Sequence, residues 1–148
     1  MRYAHVPPGP FTISTDPSLL DIEGVCAFLE QTYWGKTRSR AMMRKAFQHS
    51  FCFGVYHEKQ QIGFARVVTD YAIYAYLADV FILPAWRGQG LGEWLIQTIL
   101  EHDELKLVRR WALITRDAQE FYKSLGFRAL KNPEQHMELR HPDSKSDP

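Results

Sequence analysis

The residues with the most chemical content in this 148-residue chain sit in one run, Arg87-Gly88-Gln89-Gly90-Leu91-Gly92. Glycines at alternate positions remove side chains that would hold an anion away from the backbone. The run opens an amphipathic pattern, Leu91, Trp94, Leu95, Ile99 and Leu100, whose spacing predicts a helix. The first turn of a helix presents N–H groups without internal partners, and the peptide dipoles there favour negative charge. Arg87 adds a permanent cation with forked donors. Together these predict a pyrophosphate cradle. Spacing excludes two nucleotide readings. A dinucleotide fingerprint needs a third glycine where Glu93 stands, and a P-loop needs a G-K-[S/T] run that is absent.

Other reactive side chains are less organised. Cys26 and Cys52 lie among apolar neighbours and outside any C-x-x-C pair, so both are expected as buried, reduced thiols. The six histidines are scattered singly, without ligand spacing, and no metal site is expected. Asp117 and Glu120 form a D-x-x-E pattern expected to cap a short helix.

The elements that must position these residues follow from period and punctuation. Phe11–Ser14 reads as a strand, and Asp16-Pro17 as a helix start with Asp as cap. Leu20, Val25, Phe28 and Leu29 suit an amphipathic helix running towards Tyr33-Trp34 and stopped by Gly35. A second helix over residues 40–49 turns Met43, Ala46 and Phe47 inward. Phe51–His57 and residues 62–69 are rich in aromatic and β-branched types and form a hairpin across four polar residues. Residues 73–83 give a long strand ending at Pro84, followed by the glycine turn and its helix. Then come a strand at 110–115, a helix at 117–125 closed by Gly126, and strands at 127–130 and 137–139. The order β-α-α-β-β-β-α-β-α-β-β predicts one α/β (α+β) domain. Its mixed, mostly antiparallel twisted sheet should be flanked by helices and carry one right-handed crossover. Residues 1–10 read as an irregular lead-in and residues 141–148 as a frayed polar tail.

Bulk properties narrow the function. Hydrophobic residues make up 45% and charged residues 24%, ordinary for a globular protein, and the formal net charge is +1. No general field recruits nucleic acid, despite Arg109-Arg110, and no anionic membrane is attracted. The start lacks an apolar run of signal-peptide length, and no stretch approaches the ~18 apolar residues of a membrane span. A cytoplasmic protein without nucleic-acid or membrane partners is expected.

Three segments carry a resemblance to a known family. Arg87–Gly92 resembles the R/Q-x-x-G-x-G/A signature of the GNAT N-acetyltransferase superfamily, and Leu77-Ala78-Asp79-Val80-Phe81-Ile82-Leu83-Pro84 resembles its central strand. Ala118-Gln119-Glu120-Phe121-Tyr122-Lys123-Ser124-Leu125-Gly126-Phe127 is similar to its A-x-x-[FL]-Y-x-x-x-G-F segment. The element order agrees over about residues 11–139. The resemblance implies acetyl-CoA as cosubstrate and direct acetyl transfer to a primary amine. In such enzymes the central strand and the next one splay apart to admit the pantetheine arm. That assigns Phe81, Ile82 and Leu83 to the pantetheine and the thioester oxygen, and Arg87, Gly88, Gln89, Gly90, Leu91 and Gly92 to the pyrophosphate. Thr115, Ala118, Phe121 and Tyr122 complete the cofactor wall, Thr115 replacing an Asn common in the family.

The resemblance also implies roles in catalysis. Tyr122 matches the family's general acid for the leaving thiolate. A frequent acidic position is apolar here, as Ala78, which leaves Asp79 as the leading base or water-orienting group, or else a structural acceptor. Acceptor specificity in the superfamily arises from the first two helices and the loop between the third and fourth strands. Those regions here offer Tyr33, Trp34, Arg38, Arg40, Asp70, Tyr71 and Tyr74. Trp34, Arg38, Asp70 and Tyr74 are the acceptor candidates: aromatic rings beside an acid suit an organic cation, an arginine suits a carboxylate. With no acidic or partner-docking extension visible, a small-molecule amine is favoured over a protein lysine. The alternative is a non-catalytic acetyl-CoA sensor or interaction module, kept open by Ala78. Dimers are common in the superfamily, so a homodimer is also open.

Overall fold

The computed structural model describes residues 9–142. Its organising element is β2 (Phe51–His57), in which five successive residues from Cys52 to Tyr56 are buried. A strand buried on both pleats must be covered on both faces, and helices do so here. β2 pairs antiparallel with β1 (Phe11–Ser14) on one side and with β3 (Gln60–Thr69) on the other. The β2–β3 turn is only two residues long, with Glu58 at φ +53°, so Gln60 and Gln61 belong to the strand and not to the expected four-residue loop. β3 pairs antiparallel with β4 (Tyr74–Ile82). The chain then crosses over through α3 (Leu91–Glu101) to β5 (Arg110–Leu113), which lies parallel to β4. The five-stranded sheet has the order β1-β2-β3-β4-β5.

One face of the sheet packs on α3. Phe53, Ile62 and Ala65 from the strands meet Leu95, Ile96 and Ile99, with Phe121 and Tyr122 of α4 (Gln119–Ser124) against the same core. The other face packs on α1 (Ile22–Leu29) and α2 (Arg40–Gln48), where Cys26, Leu29, Met43 and Phe47 meet Cys52, Phe64 and Phe81. Both cysteines are buried free thiols, and burial pushes Cys52 up to about 11. Each apolar side chain removed from water contributes about 1.5–3 kcal/mol. This two-sided burial thus fixes the sheet that carries the site.

Four differences from the sequence expectations have local causes. Asp16 does accept from the Ser18 amide at 2.9 Å, but the turn it caps is a single 3-10 turn, Pro17–Leu19. The helix starts afresh at Ile22, where Asp21 accepts from the Gly24 amide at 3.1 Å. α1 stops at Leu29, short of Tyr33-Trp34, because the Thr32 hydroxyl bonds back to the Leu29 carbonyl and receives the Gly35 amide. The expected strands at 127–130 and 137–139 are not formed: residues 128–142 are exposed and contain only a 3-10 turn, Pro133–Gln135. An alternating pattern makes a strand only when an edge receives it, and within this chain the segment meets none. No helix among the described residues is long and apolar enough to cross a membrane. The lead-in and tail lie largely outside the described residues.

Candidate active site

β5 pairs with β4 only from Tyr74 to Leu77. Beyond Leu77 the two strands part, and residues 78–82 of β4 border a gap. The parting coincides with a bulge. Between the paired positions Phe64–Phe81 and Arg66–Ala78, β3 has one residue, Ala65, while β4 has two, Asp79 and Val80. Asp79 takes the left-handed conformation, φ +56°, which costs a non-glycine residue about 1–2 kcal/mol. The extra residue bends β4 and re-aims the residues after it. The Leu83 amide donates to the Ile62 carbonyl at 2.8 Å, which makes Gly63 and Ile82 a non-hydrogen-bonded pair. Ile82 therefore points its own N–H away from β3, into the gap.

The strain at Asp79 is offset by its side chain. The fully buried carboxylate accepts from Trp34 Nε1 at 2.9 Å, from Arg38 Nη1 at 2.9 and 3.0 Å, and from Arg66 Nε at 2.8 Å. Arg66 is itself braced on the Ser50 hydroxyl at 3.2 Å. Charge-assisted hydrogen bonds of this kind are about twice as strong as neutral ones. Asp79 thus ties the loop after α1 to the bulge, and both of its oxygens are engaged. This is the structural-acceptor alternative, with side-chain donors instead of backbone ones. Arg38 is correspondingly committed to Asp79, and Arg40 to Glu23 and Glu30 at 2.7 Å each, so neither arginine is a free carboxylate receptor.

The glycine turn follows Pro84–Trp86. Gly88 and Gly90 stand at φ +85° and +83°, a region in which any other residue is strained. Gly90 caps α3 without a side-chain hydrogen bond, leaving the first-turn amides of α3 free to meet an anion. Arg87 Nε donates to the Ile82 carbonyl at 2.8 Å, which anchors the guanidinium at the rim between β4 and the turn. Gln89 turns away and donates to the Trp86 carbonyl at 3.0 Å, so its side chain holds the turn together. A Cβ on Gly92 would meet Phe121 at 3.6 Å, ordinary contact. The space between α3 and α4 at Gly92 therefore admits a Cβ without displacing a neighbour.

A cleft of about 1010 Å³ runs along the gap. Val80, Phe81 and Ile82 form one wall, Arg87, Gly88 and residues 90–93 the floor at the glycine turn, and Arg116, Asp117, Ala118, Phe121 and Tyr122 the opposite wall. Gln31, Thr32, Tyr33, Trp34 and Lys36 roof it from the loop after α1. Burial, and secondarily the nearby Tyr33 phenol, pushes Tyr122 up to about 12, so the phenol is neutral at physiological pH. Its hydroxyl has no hydrogen-bond partner among the described residues and is free for a ligand. Tyr33 bridges the roof to the far wall: its hydroxyl accepts from the Arg116 amide at 3.1 Å, and the Arg116 guanidinium lies 3.7 Å over its ring. Sequence reasoning missed Arg116 altogether, as an isolated arginine carries no pattern.

Several candidates stand elsewhere. The Leu83 amide is consumed by Ile62, and its side chain faces a second hollow behind β4. Thr115 accepts from the Ala118 amide at 3.0 Å and so helps start α4, the task expected of Asp117, which lines the cleft instead. Asp70 and Tyr74 are at the wrong end of β4. Asp70 Oδ1 accepts from the amides of Ala72, Ile73 and Tyr74, which holds its carboxyl below the usual range and closes the loop. Tyr74 is half-exposed under Arg110, six residues and roughly 20 Å of strand from Val80. Neither reaches the cleft. No group of three or more His, Cys, Asp or Glu placed to hold a metal occurs among the described residues.

Comparison with known proteins identifies the family. The family model for the acetyltransferase (GNAT) domain matches residues 48–129, from the end of α2 to just past α4. The acetyltransferase-like protein FG08082 of Gibberella zeae is 30% identical over 142 residues, covering 81% of this chain and 80% of that protein. Histone acetyltransferase TAP1 of Glycine max is 29% identical over 137 residues, covering 80% of this chain but only 55% of the relative. The crystal structure of an acetyltransferase-like GNAT protein from Xanthomonas campestris pv. campestris superposes with a TM-score of 0.87 at 40% identity, covering 93% of this chain and 97% of that one. The chain belongs to the GNAT acetyltransferase family and is an acyltransferase enzyme.

Proposed function

We propose that this enzyme moves an acetyl group from acetyl-CoA directly to a primary amine of a small molecule. The observation that carries the reading is the joining of three features in one cleft: the parted strands, the uncapped start of α3, and the partly buried, neutral phenol of Tyr122. The first accepts an extended pantetheine chain, the second its pyrophosphate, and the third stands where the thiol must leave.

In this reading the amine nitrogen attacks the thioester carbonyl carbon from the roofed side, between Trp34 and Val80. The Ile82 amide donates to the oxygen that becomes negative in the tetrahedral intermediate. As the C–S bond breaks, the Tyr122 hydroxyl protonates the thiolate, and the proton released by the amine nitrogen restores the phenol through solvent. Asp79 acts as a positioning residue and not as the base, because its oxygens are occupied by Trp34, Arg38 and Arg66. Deprotonation of the amine then falls to solvent at the mouth, at a cost of about 4–5 kcal/mol for an amine of pKa ~10.4 at pH 7. The small-molecule assignment rests on the roof. Tyr33 locked to Arg116 narrows the approach to the reacting centre and suits a short amine better than a folded partner's side chain.

Calorimetric titration with acetyl-CoA, followed by release of free thiol with a panel of amines and a histone-tail peptide, tests the reading. Micromolar binding and turnover on small amines support it. Binding without turnover on any acceptor would make the protein a sensor. Turnover on the peptide alone would replace the small amine with a protein lysine.

A further inference from the structure

Four phenylalanines form a row that runs from the cleft into the core between the sheet and the first two helices. Phe28 of α1 stacks on Phe81 of β4, with ring centroids 4.1 Å apart and planes 20° from parallel. Phe81 is backed by Phe64 at 6.1 Å, and Phe64 by Phe47 at 5.1 Å. Phe64 is fully buried, so in a close-packed interior the Phe81 ring has no room to retreat. Phe28 and Phe81 both line the cleft. Behind Phe81 lies the second hollow, about 430 Å³, between α1 and the β2–β3 turn. Leu19, Val25 and Leu83 give it apolar walls, Gly24 and Gly63 add no side chains, and Asp21 with polar residues of the turn completes it. Among the described residues, Phe81 alone lines both spaces.

We propose that the Phe28–Phe81 stack determines the acyl length this enzyme accepts, closing the acyl end of the cleft so that acetyl and propionyl thioesters fit and longer ones do not. In the acetyl-transfer reading, on which this rests, the thioester carbonyl lies at the Ile82 amide. Three directions lead away from that carbon. The sulfur and pantetheine run towards the glycine turn, and the amine arrives between Trp34 and Val80. The acyl chain takes the third direction, towards α1, where Phe28 and Phe81 stand. A hydrophobic site discriminates one methylene by roughly 10- to 200-fold. Rings backed into the core hold that limit without yielding. Space for a longer chain exists behind the stack, but a side chain and not the backbone shuts it off. Removing the Phe28 ring frees volume beside Phe81, lets that ring turn aside, and joins the cleft to the hollow. Core packing alone would give these rings a share in stability and no influence on acyl preference.

Calorimetry with acetyl-, butyryl- and octanoyl-CoA, beside thiol release with an accepted amine, tests this on the full chain. Wild type is expected to use butyryl-CoA less efficiently than acetyl-CoA by roughly 10-fold or more. Phe28→Ala is expected to raise the butyryl-to-acetyl ratio of kcat/KM by a similar factor. It should also bind octanoyl-CoA about 10-fold more tightly than wild type does, because the chain becomes buried, with acetyl-CoA affinity unchanged. Leu19 is 54% exposed, so Leu19→Trp fills the hollow from its open side. Added to Phe28→Ala, it is expected to abolish the octanoyl gain and leave acetyl transfer alone. Phe28→Leu keeps an apolar side chain and carries the same test where Phe28→Ala loses its melting transition. A wild type that uses butyryl-CoA as well as acetyl-CoA overturns the proposal. So does an unchanged acyl preference in the Phe28 variant that folds, or an octanoyl gain that survives Leu19→Trp. Absence of thiol release from every thioester would instead sink the transfer reading, and the octanoyl-CoA affinities would still decide the role of the stack.

Discussion

The Arg116 amide donates to the Tyr33 hydroxyl at 3.1 Å while the Arg116 guanidinium lies 3.7 Å over the same ring. Two loops with no sequence relationship are thereby clasped across the cleft. Tyr33→Phe keeps the ring and removes the acceptor. The loss of one such bond, about 0.5–1.5 kcal/mol, is expected to raise KM roughly 2- to 10-fold with little change in thermal stability. Steady-state kinetics beside a melting curve check it, and an unchanged KM would mean the clasp does not shape the site.

Tyr122→Phe isolates the proton donor. The hydroxyl has no partner to lose, so folding and acetyl-CoA affinity should hold while kcat falls by about 10²–10⁴. Thiol release and calorimetry on the same preparation separate the two quantities. A kcat within a factor of a few of wild type would return Tyr122 to a packing role.

The pH profile depends on the same residue. Tyr122 is pushed up to about 12, so it stays protonated and competent below that value. The amine must lose its proton, which becomes easier as pH rises. The expected kcat/KM rises about tenfold per pH unit from 7 towards 10, with no falling limb before pH ~11. Because the folded pKa lies above the unfolded value of 10, the stability tied to this shift is full below pH 10 and lost as pH climbs towards 12. A descending limb near pH 9 would point to a different acid.

Gly92→Glu probes the cradle without straining the turn, since a Cβ there makes only ordinary contact with Phe121. The carboxylate would occupy and repel the anion site at the start of α3. Acetyl-CoA binding is expected to weaken at least 100-fold with the melting temperature nearly unchanged. Retained affinity would move the pyrophosphate elsewhere.

Asp79→Asn distinguishes positioning from base catalysis. Breaking a buried pair leaves uncompensated charge on Arg38 and Arg66 and costs about 3–5 kcal/mol. The melting temperature should drop on the order of 10 °C, and the activity remaining at low temperature should keep the slope of the pH profile. A stable variant with activity abolished and the profile flattened would make Asp79 the base after all.

What the sequence determined by itself is what depends on neighbours along the chain. Alternate glycines dictate a turn of positive φ before α3, and the apolar period of Leu91 to Leu100 fixes the helix that ends on it. Phe121-Tyr122 followed by Gly126 fixes α4 and its phenol, and the bounds of β1 and β2 were readable to the residue. These features depend on backbone conformation and contacts a few residues apart, which composition and spacing encode.

The tertiary structure decided everything that joins distant segments. Asp79 was legible as an acid in a strand, but its partners Arg38 and Trp34 lie 41 and 45 residues away, and only folding turns it from a candidate base into a saturated acceptor. Tyr33 and Arg116 meet across 83 residues. Asp70 and Tyr74 suited an amine pocket by type and were carried to the wrong end of β4 by the register of the sheet. Met137 and Leu139 alternate like a strand, yet a strand needs an edge, and the pattern in one segment does not say which edge will receive it. A local pattern specifies conformation because the interacting groups are close in sequence. Which side chains neutralise one another depends on packing that brings remote segments together.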